Sequence, residues 1–525
     1  GMVGEVKLFD TPLSNVDFAA ERLALRRKWV DDGSMPTSGW RVIPEDPDYP
    51  TDDVIVAYCS VADPAYPLPA DPANTDCAAA FQAALDDASA AGGGTVFVPA
   101  GEYRFDSNIE VPDNVTLRGR WVQPSDTETV QGTVLSIYHN RGVAATNSFI
   151  TLNAAAAVRD LAFWHPEQIP ENIVPYPFVI DTTSKAVSVE NITLVNTYQG
   201  MDFSRASFLN MKNVYGSPLY RGYMVDRAYA VPRMQGANFS PDYWGWSGLP
   251  GAPSAGGAHE TFMKQNGIAM LIRELDAGHV TFSTVSGYAV GLMYEPSPVT
   301  GDNAGEQSIM GNVITNCTDA LLVTSVKSLK ILQCTFSGTD YGVRHVDDGD
   351  LIFTDCSISG GIDAVNDEAA AGEGSHEFNF QGYTFDGAVR VRNLGMLGAV
   401  SCSFVRSGTD VALYGSNRGT IISGCTFADG PDIEDYTTGG DIKIDHSPVA
   451  SYTTPTFPEA YDSVRKPDDQ LLFNVLDYGA AGNGTTDDSD AVIAAIQAAQ
   501  VNGGGIVFFP AGEYKMSKNL DVGAG

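Results

Sequence analysis

Gly92–Gly119 reads GGGTVFVPAGEYRFDSNIEVPDNVTLRG. Three glycines close a helical run, and the residues after them alternate, with Val96, Val98, Tyr103, Phe105, Ile109, Val111, Val115 and Leu117 apolar. A period of two marks strands buried on one side, and Pro99-Ala100-Gly101 turns one strand into the next. The same text returns as GGGIVFFPAGEYKMSKNLDVGAG, displaced by 411 residues, so that Pro99 answers to Pro510 and Tyr103 to Tyr514. The displacement holds upstream without a gap, from Asp76, Ala80, Leu85 and Gly92 to Asp487, Ala491, Ile496 and Gly503. Register kept over roughly 35 residues marks a duplicated structural unit.

Working outward, a shorter pattern recurs from about residue 155: apolar, any, polar turn former, apolar, any, apolar. It reads VRDLAF at 158, VENITL at 189, MKNVYG at 211, AGHVTF at 277 and ITNCTD at 314. It continues as ILQCTF at 331, FTDCSI at 353, FQGYTF at 380, VSCSF at 400 and ISGCTF at 422. The turn position holds Asp160, Asn191, Asn213, His279, Asn316, Gln333, Asp355, Gly382, Ser401 and Gly424, and several intervals are 22 or 23 residues. A strand that turns through a polar corner into another strand at this spacing is one coil of a right-handed parallel β-helix. Each coil buries its apolar residues only by stacking on its neighbours. Cys317, Cys334, Cys356, Cys402 and Cys425 fall next to these corners and are expected as one file of buried, reduced thiols.

The fold class is therefore all-β, a parallel β-helix solenoid with a short capping helix and a long loop insertion. Residues 1–70 read as an extension, with a helix begun by Asn15 or Asp17 and stopped by Gly33. DCAAAFQAALDDASA, 76–90, is an amphipathic helix suited to closing the open end of the stack. The β-helix is expected over 71–428, interrupted by an insertion at about 216–267. Residues 429–470 have the composition of a linker, and 471–525 begin a second β-helix unit that stops at the counterpart of Asn114. The rest of that second helix is expected as a missing partner of the same chain.

With 31 basic against 65 acidic residues the net charge is −34 and the pI about 4.3, which disfavours nucleic acid and anionic membranes, whose phosphates need a cationic surface, and neither is expected as a partner. The same charge disfavours a polyanionic sugar unless a metal ion bridges the two. No apolar run reaches 18 residues, so no membrane insertion is expected. Gly1-Met2 has the look of an expression scar, so a secreted or cell-surface protein whose leader was removed is compatible with this start. The seven cysteines form no CxxC pair and suggest neither a zinc site nor a complete disulfide framework.

Tyr478-Gly479-Ala480, Gly482-Asn483-Gly484, Thr486-Asp487-Asp488, the Ala/Ile helix and GGG…PAGEY resemble the opening signature of the pectate-lyase superfamily, a single-stranded right-handed β-helix. The duplicated arrangement, together with NVYGSPLYRGYMVD…NFSPDYWGW, is similar to glycoside hydrolase family 55, the β-1,3-glucanases. The resemblance covers roughly residues 70–525, although the first copy has ADPANTDC in place of the DYGA-GNG-T-DD opening. It implies a carbohydrate-active protein, most simply a hydrolase of a neutral β-glucan binding a polysaccharide or oligosaccharide. In that family the general acid lies well inside the second helix, beyond this chain.

Glycoside hydrolysis needs a protonated carboxylic acid at the leaving oxygen and a second carboxylate. The candidates in or beside the insertion are Asp226, Asp276 and Glu295, with Arg221, Arg227 and Arg273 as their salt-bridging neighbours. Phe239, Tyr243, Trp244 and Trp246, set among glycine and proline, suit the flat C–H faces of sugar rings or else pin the insertion to the helix. Substrate binding is thus assigned to Arg221, Tyr243, Trp244 and Trp246. HVDDGD, with Asp347, Asp348 and Asp350, is a dense acidic turn but departs from the Ca²⁺-loop pattern. No HExxH, Walker loop or dinucleotide fingerprint occurs, and no cofactor is expected. Two other readings stay open: a tailspike-type glycan-binding adhesin, and a Ca²⁺-dependent polysaccharide lyase with an arginine or lysine base.

Overall fold

The computed structural model describes residues 41–43, 55–346, 349–368, 377–392, 396–415, 419–438, 441–445, 472–502 and 504–522. The helix expected between Asn15 and Gly33 lies outside the described residues. From Cys59 to Asp445 the strands join in one parallel ladder of 33 strands wound into a β-helix, each coil stacked on the one before.

Each coil contributes to three sheets. The first begins at Cys59–Ser60, Gly94–Phe97 and Val115–Arg118 and ends at Gly419–Ser423 and Asp441–Asp445. The second runs from Gly101–Phe105 and Thr133–Ile137 to Ser403–Phe404 and Thr426–Phe427. The third runs from Ile109–Val111 and Ile150–Leu152, through Phe178–Thr182, Gln199–Asp202, Arg221–Val225, Ile268–Ile272 and Val290–Tyr294, to Ile433–Thr437. Two boundaries differ from the sequence reading. The coils continue to Asp445, past the expected end at 428, because the last coil pairs its backbone while offering few large apolar residues. Residues 221–239 form a regular coil, so the insertion begins at 240; that coil turns on Gly236 and carries no polar signal at its corner.

The corner between the first and second sheets is a single residue in the left-handed region. It is Asp160, Asn191, Asn213, Gly236, Phe282, Gly311, Gln333, Asp355, Gly382, Ser401 and Gly424 in successive coils, with φ from 48° to 77°. Asn, Asp and Gly enter this region at least cost, which is why the pattern is visible in sequence. Two of the ten expected corners were misplaced. His279 lies in a first-sheet strand, three residues before the true corner at Phe282, and Asn316 turns the chain from the second sheet toward the third. At the start of the stack the side chains form a ladder: Arg118 Nε donates to Asp160 Oδ2 at 2.5 Å, Asn191 Nδ2 to Asp160 Oδ1 at 2.8 Å, and Asn213 Nδ2 to Asn191 Oδ1 at 3.1 Å.

The residue after each of several corners points inward, and where it is polar or a thiol it receives a backbone amide from the neighbouring coil. Ala237 N–H donates to Ser283 Oγ, Ser283 N–H to Asn312 Oδ1, Cys334 N–H to Cys356 Sγ and Cys402 N–H to Cys425 Sγ. Four of the five expected cysteines share this file, and all seven cysteines are free thiols. Cys317 stands apart, buried beyond the second-sheet strand where its backbone pairs with Gly338. Beside the file Phe336, Ile358, Phe385, Phe404 and Phe427 stack coil on coil, the last pair with rings 5.1 Å apart and 9° from parallel. Each fully buried ring is worth about 1.5–3 kcal/mol of transfer free energy, so no coil is stable without its neighbours.

Helix α1, Ala78–Ala90, closes the first coil: Phe81 packs edge-on against Tyr103 at 5.4 Å and Phe105 at 4.9 Å. The duplication is structural as well as textual. Helix α2, Ser489–Val501, has the same length of 13 residues as α1, and Tyr514 Oη donates to Pro510 O at 2.9 Å as Tyr103 Oη does to Pro99 O at 3.0 Å.

Candidate functional site

The outer face of the third sheet concentrates ionisable side chains. Register places one outward file as Glu110, Thr151, Asp181, Asp202, Met224, Leu271, Met293, Leu322 and Arg344 on successive coils. The parity follows from the strands: Tyr223 and Val225 fill the core, so Met224 between them points out, as Leu271 does between Met270 and Ile272. Parallel strands lie about 4.8 Å apart, so Asp181 and Asp202 are rooted side by side.

Asp181 is half-buried, and its Oδ1 meets no hydrogen-bond partner. Burial raises its pKa above the usual carboxylate value; the Thr151 and Ser148 hydroxyls and Arg205 oppose the rise, and Asp202 adds to it. Arg221 opens the strand above, with Nε buried and unpartnered and its guanidinium 5.3 Å from the centre of the Tyr220 ring. Burial and the nearby Arg273 lower its pKa, against opposing contributions from Tyr220, Glu295 and Asp202. Tyr220 stacks on Tyr198 at 5.0 Å and 9°, and Phe262 of helix α3, Ala258–Asn266, stands 6.4 Å from Tyr198. Arg273 binds Glu295 Oε1 through Nε at 2.8 Å and Nη2 at 2.7 Å, and its Nη1 lies 3.1 Å from Met224 Sδ. The result is an apolar file in which Met224 and Leu271 are buried and Met293 and Leu322 half-buried, with an acid pair at one end and an Arg–Glu wall beside it.

Further along the face the carboxylates are occupied. Arg344 joins Asp319 at 3.4 Å to Glu368 at 2.9 Å, and Arg390 binds Asp363 at 2.7 Å.

Of the residues named from sequence, Arg221 and Glu295, with Arg273, come together on this face. Asp226 is 2% exposed at the end of the Arg221 strand, with Oδ1 unpartnered and Arg227 Nε at 3.5 Å. Asp276 is exposed on the turn back to the first sheet. Trp244 is fully buried and pins the insertion, while Phe239 ends a coil strand in the core. Tyr243 and Trp246 are half-buried and 5.2 Å apart; with Tyr215 and Trp121 they form an aromatic run on the second sheet, a different face. Asp347 and Asp348 of the acidic turn lie outside the described residues, while His345 is in the core, its Nδ1 2.9 Å from Asp367 Oδ1. Asp181 and Asp202 were missed. Their signal is the pair FVIDT and QGMDF, which carry aspartate at matching outward positions of consecutive third-sheet strands.

Residues 70–244 and 472–523 match the family model described as rhamnogalacturonase A/epimerase, pectate lyase-like. Among characterised proteins, the mannuronan C5-epimerase AlgE3 of Azotobacter vinelandii is 52% identical over 54 residues, 10% of this chain and 3% of that protein. Alginate lyase 7 of the same organism is 58% identical over 47 residues, 9% of this chain and 6% of that protein. The chain thus spans only a small fraction of the length of these relatives. Among solved structures, the A-module of the A. vinelandii mannuronan C-5 epimerase AlgE6 has a TM-score of 0.39 and 14% identity, covering 74% of this chain and 100% of that one.

Proposed function

Taking as premise that the chain is a pectate-lyase-like parallel β-helix protein, we propose that it is a secreted glycoside hydrolase that cleaves a neutral β-glucan on the outer face of its third sheet. The observation that carries the reading is the in-register pair Asp181–Asp202, in which burial favours the protonated form of Asp181. A protonated carboxylic acid can donate to the leaving oxygen, while Asp202 supplies the second carboxylate. Side chains rooted about 4.8 Å apart suit the roughly 5–5.5 Å separation of a retaining enzyme better than the 6.5–9.5 Å of an inverting one. Asp202 is accordingly assigned as nucleophile. Met293 and Leu322, the half-buried members of the outward file, offer apolar contact to sugar C–H faces, and Arg221 and the Arg273–Glu295 pair supply polar contacts beside them. The net charge of −34 favours an uncharged polymer, as does the resemblance to β-1,3-glucanases.

The test is incubation with laminarin and with other neutral β-glucans, following new reducing ends and the anomeric configuration of the first product. Retention in the wild type, with loss of about 10²-fold or more in Asp181→Asn, supports the assignment. Cleavage that survives this substitution overturns it. A second reading is favoured by Arg221, whose half-buried guanidinium has a lowered pKa and an unpartnered Nε, as suits a base or carboxylate clamp in uronate elimination. Alginate would then yield an ultraviolet-absorbing unsaturated product, and laminarin none.

A further inference from the structure

The insertion between the second and third sheets encloses a cavity of about 240 Å³ lined by Pro241, Asp242, Trp246, Pro253, Ser254 and His259, among others. His259 is 1% exposed and stands edge-on to Trp244 at 5.5 Å. Its Nε2 is 3.2 Å from Pro241 O. A carbonyl only accepts, so Nε2 carries the proton and Nδ1 presents a bare lone pair. Burial lowers the His259 pKa, which keeps the ring neutral. Nδ1 has no hydrogen-bond partner, a state that is destabilising when nothing fills it. Gly257 packs against the ring, and a Cβ there would come 2.9 Å from Nδ1, so a larger residue must displace His259. Asp242 Oδ2 accepts from Ser240 Oγ at 2.6 Å, leaving Oδ1 for a second donor.

We infer that this cavity is a binding subsite for one neutral pyranose unit, separate from the third-sheet face. A sugar hydroxyl donates to His259 Nδ1 and another to Asp242, while the indole of Trp246 and the two prolines take the C–H face. The volume falls below the roughly 300–1,000 Å³ of drug-sized sites and limits the occupant to a single ring. The carboxylate of Asp242 beside a neutral imidazole discriminates against uronates. The inference leans on the proposed function only in choosing a sugar as the small molecule; it requires no turnover. Water alone would leave the cavity with roughly eight molecules at about 30 Å³ each and no saturable ligand.

The experiment titrates the full chain with methyl β-D-glucoside and with glucuronate, reading calorimetric heat and tryptophan fluorescence. The expected result is saturable binding of the neutral glycoside, about tenfold or more weaker in both Trp246→Ala and Gly257→Ala. Circular dichroism confirms that both variants fold, and Asp276→Asn, on an exposed turn, binds as the wild type does. Binding without glucan cleavage sustains this inference and sinks the hydrolase. Cleavage without binding, binding unchanged in both variants, or equal binding of glucuronate overturns the inference.

Discussion

His165 gives the structure a measurable acid lability. It is 1% exposed and lies nearly parallel to Tyr176, ring centroids 3.9 Å apart and 14° between planes. Its backbone is fixed by Asn196, whose Oδ1 accepts its N–H at 2.9 Å and whose Nδ2 donates to its carbonyl at 3.1 Å. Nδ1 meets no partner, and burial pushes the pKa from 6.5 down to about 3. The folded state therefore refuses a proton that the unfolded chain accepts. The stability is fully present above pH 6.5 and is lost as pH falls toward 3. At about 1.4 kcal/mol per unit the whole shift amounts to roughly 5 kcal/mol, of which about 3 kcal/mol is gone by pH 4. His165→Phe keeps an aromatic ring against Tyr176 and removes the titration. Urea unfolding of both proteins at several pH values between 7 and 4 isolates this group, because other carboxylates and histidines cancel in the difference. Relative to wild type, the variant should gain stability steadily below pH 6.5. A difference that stays constant from pH 7 to pH 4 would refute the reasoning.

Phe385→Ala removes a fully buried ring stacked 5.0 Å from Phe404 and should cost about 3–5 kcal/mol, read as a lower urea midpoint. At the corner residue Asn213, φ 55°, Ala should be less stable than Gly by roughly 1 kcal/mol, since both lose the bond to Asn191 but only Ala resists the left-handed region; thermal melts rank the pair. Cys425 is the least buried of the seven thiols, and hydrogen bonding from Cys402 brings its pKa down to about 7. Thiol labelling of the native protein should therefore modify Cys425 first and the other six only on unfolding, with peptide mapping as the readout.

The β-helix was legible because its corners demand a left-handed residue, and Asp160, Asn191, Asn213, Asp355 and the corner glycines announce one. Phe282 takes the same conformation with no such signal and is 47% exposed, so that coil was read three residues out of register. The coil 221–239 was read as loop although MQGANF, with Gly236 at its corner, repeats the pattern of FQGYTF. Four cysteines declared the inner file because each follows its corner, while Cys317, at a different corner, repeats the local text without the position. The site was harder. Arg221 and Glu295 were found by their nearness to the insertion, yet Asp181 and Asp202 are two of 65 acids. Their importance arises from register: strands 21 residues apart in sequence put both carboxylates outward on adjacent coils. Trp244 shows the reverse error, since composition cannot tell a ring that pins a loop from one that meets a sugar.

The most direct test of the acid pair compares laminarin cleavage by the wild type, Asp181→Asn, Asp202→Asn and the double variant, with Asp276→Asn as a control on an exposed turn. Residues that act as one catalytic unit are strongly non-additive. Each single substitution should remove nearly all activity, the double should be little slower than either, and the control should cleave as the wild type does. Wild-type cleavage retained by Asp181→Asn or Asp202→Asn would contradict the account.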